Sequence, residues 1–513
     1  MKVLALLVAL GLTAAGCTVE GTGGTDSIGT QMPSSPRPTE RQAGPTPDAD
    51  PLPRRRPRGS EGWRLTRDTG RRIQAYTTAA SGLPGTRVGL RVSTGAAGYR
   101  VHAYRLGGYR GGSGLRVWSS QTVPGRRQRA PVFAPHETRT IVARWTDDLT
   151  IDTTGWAPGF YVLKLRTGAG AETQVPYVVS SPSAHGRVVL VAPVTTWQAY
   201  NSFGGYSLYA GREGDRRAWA VSFDRPYEGV LGANDFRTAF VPVVLRAERL
   251  GIPLAYFANV DLHARPTRLT GARGYVSVGH DEYWTLAMRR AVTLARDAGT
   301  NVAFLGANTM YWRIRLSPNL RLQTGYRDSA ALDPARDRRP AETTARFRDQ
   351  PSARPENALV GMLYECYPVD TDYVVVSPRW WGFRGTGVRQ GSRIHGLVGP
   401  ESDRVYPDKA TPRPLQVLSN SSFSCRGVTT TTQSVYYTVP SGAGVFTAGT
   451  LRWGCAMVDR CERPLGGRTA RFVRTVTANL LRAFAGGPVG LRAPARDNVD
   501  RFNLPLVNSV DAS

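Results

Sequence analysis

The chain has 513 residues, with 66 Lys and Arg against 39 Asp and Glu and a formal net charge of +27. That length allows two or three domains. The charge is carried almost wholly by arginine, since Lys2, Lys164 and Lys409 are the only lysines. No RRM, zinc-finger or helix-turn-helix pattern accompanies it, so nucleic acid is not an expected partner.

Residues 1–17 read as a signal peptide. An apolar run from Val3 to Ala15 follows Lys2, too short to span a bilayer but right for a secretory segment. Ala14-Ala15-Gly16 before Cys17 resembles a bacterial lipobox. Used as one, it would leave a diacylated Cys17 tethering an exported protein to the outer face of the membrane; ordinary cleavage would secrete it. Residues 18–60 are rich in Gly, Thr, Ser, Pro and Arg and end in Arg54-Arg55-Arg56-Pro57-Arg58. Such a stretch buries too little apolar surface to offset its ordering entropy and reads as a disordered linker.

Across residues 61–182 short alternating runs recur between Gly and Pro: 88–92, 99–105, 115–118, 160–166 and 174–179. They predict an immunoglobulin-like β-sandwich. Tyr161, Leu163 and Leu165 share one strand face, which by itself puts Tyr161 in the core.

Residues 183–513 change pattern. Apolar strands at 188–192, 254–257, 275–278 and 301–305 alternate with helical stretches, among them 242–250, which predicts a doubly wound, mostly parallel sheet. Tyr200, the run His280-Asp281-Glu282-Tyr283-Trp284 and Asn308 all follow such strands. Ligands collect beyond the carboxyl ends of strands in this architecture, so the three motifs should meet in one crevice. Residues 283–298 read as a helix with Leu286, Ala287, Ala291, Leu294 and Ala295 as its apolar stripe, and Asp281 suits a capping position. A His, an Asp and a Glu on one turn can supply a metal ligand, a base and an orienting group.

Farther on, 333–355 reads as a loop. Strands are expected at 374–376, 393–398, 415–418, 434–438 and 445–453, as β-rich insertions of the same domain, with a closing helix over 470–484. Cys366, Cys425, Cys455 and Cys461 form an even set in an exported chain and predict two disulfides, with three pairings formally open. No CxxC spacing favours zinc. No G-x-S-x-G, phosphate-binding glycine loop or H-E-x-x-H pattern occurs. A glutamine-amidotransferase-like sheet would place a nucleophilic Cys where His280-Asp281-Glu282 stand, so a thiol acyl-enzyme is not expected.

The segments TWQAYNSFGGYSLY, DRPY, VGHDEYW, FLGANTMYWRIRL, GYRDSAALDP and VFTAGTLRWG together resemble the N,N-dimethylformamidase large-subunit-like family, from about His185 onward. The resemblance implies a mononuclear iron, Fe(III), held by two tyrosines and a glutamate and hydrolysing a small amide. Carried over, Glu282, Tyr200 and Tyr161 are the metal ligands, with Tyr206 and Tyr209 as alternatives to Tyr161. His280 is the base, Asn308 orients substrate, and Arg327 stands where the family has a lysine. Arginine stays charged, so Arg327 could stabilise an oxyanion but not act as base. Phenolate and carboxylate are hard donors that suit Fe(III). No partner subunit is encoded in the chain, and a homo-oligomer is one assembly it allows. The other functional class is a non-catalytic surface protein that binds a glycan or wall polymer through Trp197, Trp312 and Trp380-Trp381.

Overall fold

The computed structural model describes residues 56–66, 70–212, 216–228 and 236–506. The signal peptide, the lipobox and the linker as far as residue 55 lie outside them. The last five residues assigned to the linker are not free. Arg56 donates to the carbonyls of Gly108 and Glu248, each at 2.7 Å, and the Gly59 and Ser60 amides bond to Arg110 and Gly114. A basic composition predicted solvation here; backbone pairing to a strand edge overrides it. No helix among the described residues is long and apolar enough to cross a membrane.

Two antiparallel sheets form the first part of the fold. The small one joins β1 (Ile73–Thr77), β2 (Arg87–Thr94) and β5 (Leu149–Asp152). The large one runs from a two-residue parallel edge at Ser81–Gly82 through β7 (Glu172–Val179), β6 (Gly159–Thr167), β3 (Gly98–Tyr109) and β4 (Gly112–Ser119). Ile73, Val88, Leu90 and Ile151 of one sheet meet Val101, Leu163, Leu165 and Val175 of the other in a shared core. Strand alternation sends the opposite residues of β6 and β3, Phe160, Val162, Tyr104 and Leu106, into a second core. Phe160 there meets Phe240 and Tyr256 edge-on at 4.6 and 5.3 Å. Arg105 closes the same seam with an ion pair to Glu248 at 2.8 Å.

That second core belongs to a seven-stranded sheet. In chain order its strands are β8 (Val188–Ala192), β9 (Leu254–Ala258), β10 (Gly274–Val278), β11 (Asn301–Leu305), β12 (Leu415–Cys425), β13 (Val428–Thr438) and β14 (Gly444–Thr447). In space they run β9-β8-β10-β11-β14-β13-β12, the first five parallel and the last two antiparallel. β8, β10, β11 and β14 are buried at every residue, as expected of near-continuous apolar runs. Helices α1 (Val194–Tyr200), α2 (Val241–Arg249), α3 (Asn259–Ala264), α4 (Leu286–Asp297) and α5 (Gly467–Ala485) flank it. The chain is thus mixed α/β and strand-rich.

Several expectations need correction. Tyr283–Trp284 is a short strand, paired in parallel with Trp312–Arg313, and the helix begins only at Leu286. Thr285, not Asp281, is its N-cap, accepting from the Met288 amide. The helix's buried stripe is Met288, Ala291, Val292 and Ala295, and Leu294 is 55% exposed. The strand expected over 445–453 stops at Thr447, and Trp453–Ala456 is a helical turn. The loop at 333–355 contains short helices at Ala335–Arg338 and Pro340–Glu342. The two expected disulfides do form, and of the three open pairings the chain takes Cys366 with Cys425 and Cys455 with Cys461.

Candidate metal and acid–base site

Three consecutive strand ends of the parallel sheet build the site. After β8, helix α1 ends at Tyr200. Gly204 and Gly205, both with positive φ, turn the chain back so that Tyr209 stacks on Tyr200 with ring centroids 4.2 Å apart. A Cβ on Gly204 would come within 2.7 Å of Ile141, a residue of the β part that seals this loop. Buried Arg225, from the DRPY segment, braces the turn by donating to the carbonyls of Gln198 and Tyr206 at 3.0 and 2.8 Å.

After β10, Gly279 adopts positive φ, and a Cβ on the neighbouring Gly306 would strike its carbonyl. The following residues are clamped on both sides. The Glu282 and Tyr283 amides donate to Thr196 Oγ1 of α1 at 3.0 and 3.3 Å, and Thr195 Oγ1 donates to the Tyr283 carbonyl at 2.7 Å. From the other side Met310, Trp312 and Ile314 amides bond to the carbonyls of Asp281, Glu282 and Trp284, each at 2.9 Å. Asp281 is buried, and its carboxylate accepts from Ser277 at 2.7 Å. It supports the turn from beneath.

The result is a compact oxygen cluster. Tyr200 Oη lies 2.8 Å from both Tyr209 Oη and Glu282 Oε2, while Tyr209 Oη lies 2.7 and 2.8 Å from the two Glu282 oxygens. Two hydroxyl protons cannot satisfy four such oxygen–oxygen contacts. Burial, reinforced by the Glu282 charge, pushes both phenols well above the ordinary tyrosine value. Only a nearby cation would ionise them at neutral pH. Two phenols and a carboxylate in contact are a hard, oxygen-only donor set that could hold a ferric ion.

Beside the cluster, His280 Nε2 sits 3.3 Å from Glu282 Oε2 and 3.4 Å from Glu401 Oε2. Burial and the Glu282 charge raise the Glu401 carboxyl, against the pull of His280 and of a hydrogen bond from Asn308. Asn308 follows β11 with φ of 55°, and its amide donates to Asp403 Oδ1 at 2.8 Å. Arg327 lies with its guanidinium carbon 3.9 Å from the Tyr209 ring centroid and 4.8 Å from that of Trp312, and it donates to the Leu208 carbonyl at 2.6 Å. Burial would lower its pKa, but Tyr283, Tyr209, Asp328 and Glu282 together outweigh that and raise it.

Tyr200, His280, Glu282, Asn308 and Arg327 are therefore brought together, and Tyr161 is not. Tyr161 stacks on Trp156 in the core between the two antiparallel sheets and donates to the Ala157 carbonyl at 2.6 Å. Tyr209 takes the second phenol position against Glu282, while Tyr206 packs edge-on against Phe133. Glu401 and Asp403 escaped sequence reasoning. Glu401 lies in the bend after the strand Arg393–Val398 and Asp403 in the short strand Ser402–Arg404, where the one local signal is an acidic pair behind Gly399-Pro400. Trp197, Trp312 and Trp380 are buried against other aromatic rings and offer no glycan platform, while Trp381, beside Trp380, is partly exposed. Cys455, Cys461 and Glu462 converge as metal ligands would, but the thiols are joined to each other.

Residues 100–463 match the family model described as N,N-dimethylformamidase beta subunit-like, C-terminal. No curated protein matches. A solved cycloisomaltooligosaccharide glucanotransferase from Paenibacillus sp., complexed with cycloisomaltoheptaose, is similar over 25% of this chain and 18% of its own, at 13% identity and a TM-score of 0.15. A likeness that slight carries no argument.

Proposed function

The chain belongs to the N,N-dimethylformamidase beta subunit-like family, and from that premise we propose that it hydrolyses the C–N bond of a small amide at a ferric ion held by Tyr200, Tyr209 and Glu282. The observation that carries this reading is the oxygen cluster, whose four short contacts outnumber its protons. Bound there, iron would supply Lewis acidity toward an amide carbonyl and a water molecule. His280, held between two carboxylates, takes the proton of the attacking water and returns it to the departing amine. Glu401 fixes the imidazole and balances its charge once protonated. Asn308 presents its side-chain amide beside this pair and orients the substrate. Arg327 is pinned by Leu208 and stacked on Tyr209, so its part is to hold that ring and place a fixed positive charge near it.

The wider reading is an exported protein, anchored through Cys17 or secreted. Its two-sheet unit is read as immunoglobulin-like and its parallel part as glutamine-amidotransferase-like; strand order and the sequence of residues 1–17 support these readings. Metal analysis with a visible absorption spectrum tests the function. Stoichiometric iron and a broad tyrosinate-to-iron band, followed by turnover in a screen of small amides, are expected. A colourless protein that takes up no iron would overturn the proposal.

A further inference from the structure

A cleft of about 410 Å³ lies between α4 and the segment 354–359. Arg289, Arg290, Arg296 and Arg354 line it, and none of the described lining residues is acidic. Two of these cations are committed to the fold. Arg289 is buried and donates to the carbonyls of Arg354 and Pro355. Arg296 bonds to the Ala358 carbonyl at 3.0 Å and pairs with Asp297 at 2.8 Å. Arg290 and Arg354 are exposed, and neither guanidinium has a partner among the described residues. The positive charge is poorly compensated: burial and then Arg354, Arg296 and Arg313 pull Arg289 down to about 10 despite Glu356. The same cleft has apolar walls, including Leu286 and the exposed Leu294.

We propose that this cleft binds a small organic phosphate, its oxyanion gripped by Arg290 and Arg354 and its short apolar body lying against Leu286 and Leu294. Guanidinium forks match phosphate oxygens in two-point geometry, which a diffuse positive surface does not. The volume falls within the range of small-ligand sites. Nothing in this inference depends on the hydrolase reading.

Calorimetric titration of the mature protein with hexyl phosphate, inorganic phosphate and phosphatidylglycerol vesicles, at physiological salt, tests it. Saturable binding of hexyl phosphate is expected, weakened about tenfold or more in Arg290→Gln/Arg354→Gln, where two charge-assisted contacts are lost. Arg460→Gln/Arg468→Gln, removing the same charge from exposed positions outside the cleft, should leave it unchanged. Leu294→Ala should weaken hexyl phosphate but not inorganic phosphate. Vesicle binding that hexyl phosphate displaces would assign the ligand to a lipid headgroup, and its absence to a free phosphate ester. Lack of saturable binding, or equal weakening by both double variants, would overturn the proposal. Unchanged melting temperatures establish that the exposed substitutions leave the fold intact.

Discussion

Tyr209→Phe removes one of the two phenols that touch Glu282, and with it the tyrosinate-to-iron absorption band is expected to fade and iron affinity to fall by more than about tenfold. Tyr161→Phe should leave band and iron untouched. It deletes a buried hydrogen bond to Ala157, so its cost is about 1 kcal/mol of stability, read by denaturant unfolding. If the two variants exchanged these behaviours, the assignment of the second phenol would be wrong. Asp403 offers a pH readout. Burial, opposed by the Asn308 amide and reinforced by Glu401, pushes its carboxyl up to about 8. Between the ordinary aspartate value near ~3.9 and that pH, the folded chain keeps a proton that the unfolded chain has lost, so this group makes stability fall as pH rises. Asp403→Asn cannot ionise. Its melting temperature should drop less from about pH 5 to about pH 8 than that of the unaltered protein, and equal drops would dismiss the idea. Legibility at this scale followed locality. His280, Glu282 and Asn308 stand just after apolar strands, and Tyr200 ends the helix that follows one, where parallel-sheet geometry gathers ligands. Tyr161 was joined to them only by what the sequence resemblance implied, and its strand alternation already pointed inward. Glu401 reaches His280 through a long insertion that no periodicity describes.

The element that decides where Glu282 points is the short ladder of Tyr283–Trp284 with Trp312–Arg313, together with α1. Thr196 receives two backbone amides from the turn, so Thr196→Val preserves shape while leaving both buried donors unpaired. A loss of roughly 1–3 kcal/mol is expected in denaturant unfolding, with weaker iron uptake by direct titration. Unchanged stability would mean that the turn is held from the Met310–Ile314 side alone. This element was the hardest to read in sequence. An amphipathic pattern over 283–298 suggested a helix from Tyr283, but Tyr283 and Trp284 are fixed by pairing with a strand almost thirty residues downstream. Tertiary pairing overrode local periodicity, and the face that the helix buries leaves Leu294 exposed. The first four strands of the parallel sheet, β8 to β11, were legible almost residue by residue. Their apolar runs have few alternatives.

At the scale of the whole molecule, the large sheet of the β part is buried on both sides, by its own partner sheet and by the parallel-sheet core. The two parts are therefore expected to melt together. Calorimetry should give one cooperative transition, and Phe160→Ala, at the seam between them, should lower it by about 3–5 kcal/mol without splitting it. Two separate transitions would mean that the seam contributes little. The sequence indicated both parts but not their shared core, because alternation marks β6 as buried without saying against what. The spatial order of the seven-stranded sheet has a temporal consequence. β11 lies at its middle, yet the strand that covers its far edge, β14, is not made until residues 306–443 have followed. During synthesis that edge stays open for on the order of ten seconds. A nascent chain with a bare, wholly apolar strand edge is prone to pair with its neighbours. Glu401 belongs to the same late segment, so the chemistry of the centre and the safety of the growing chain both await the final third of the polypeptide.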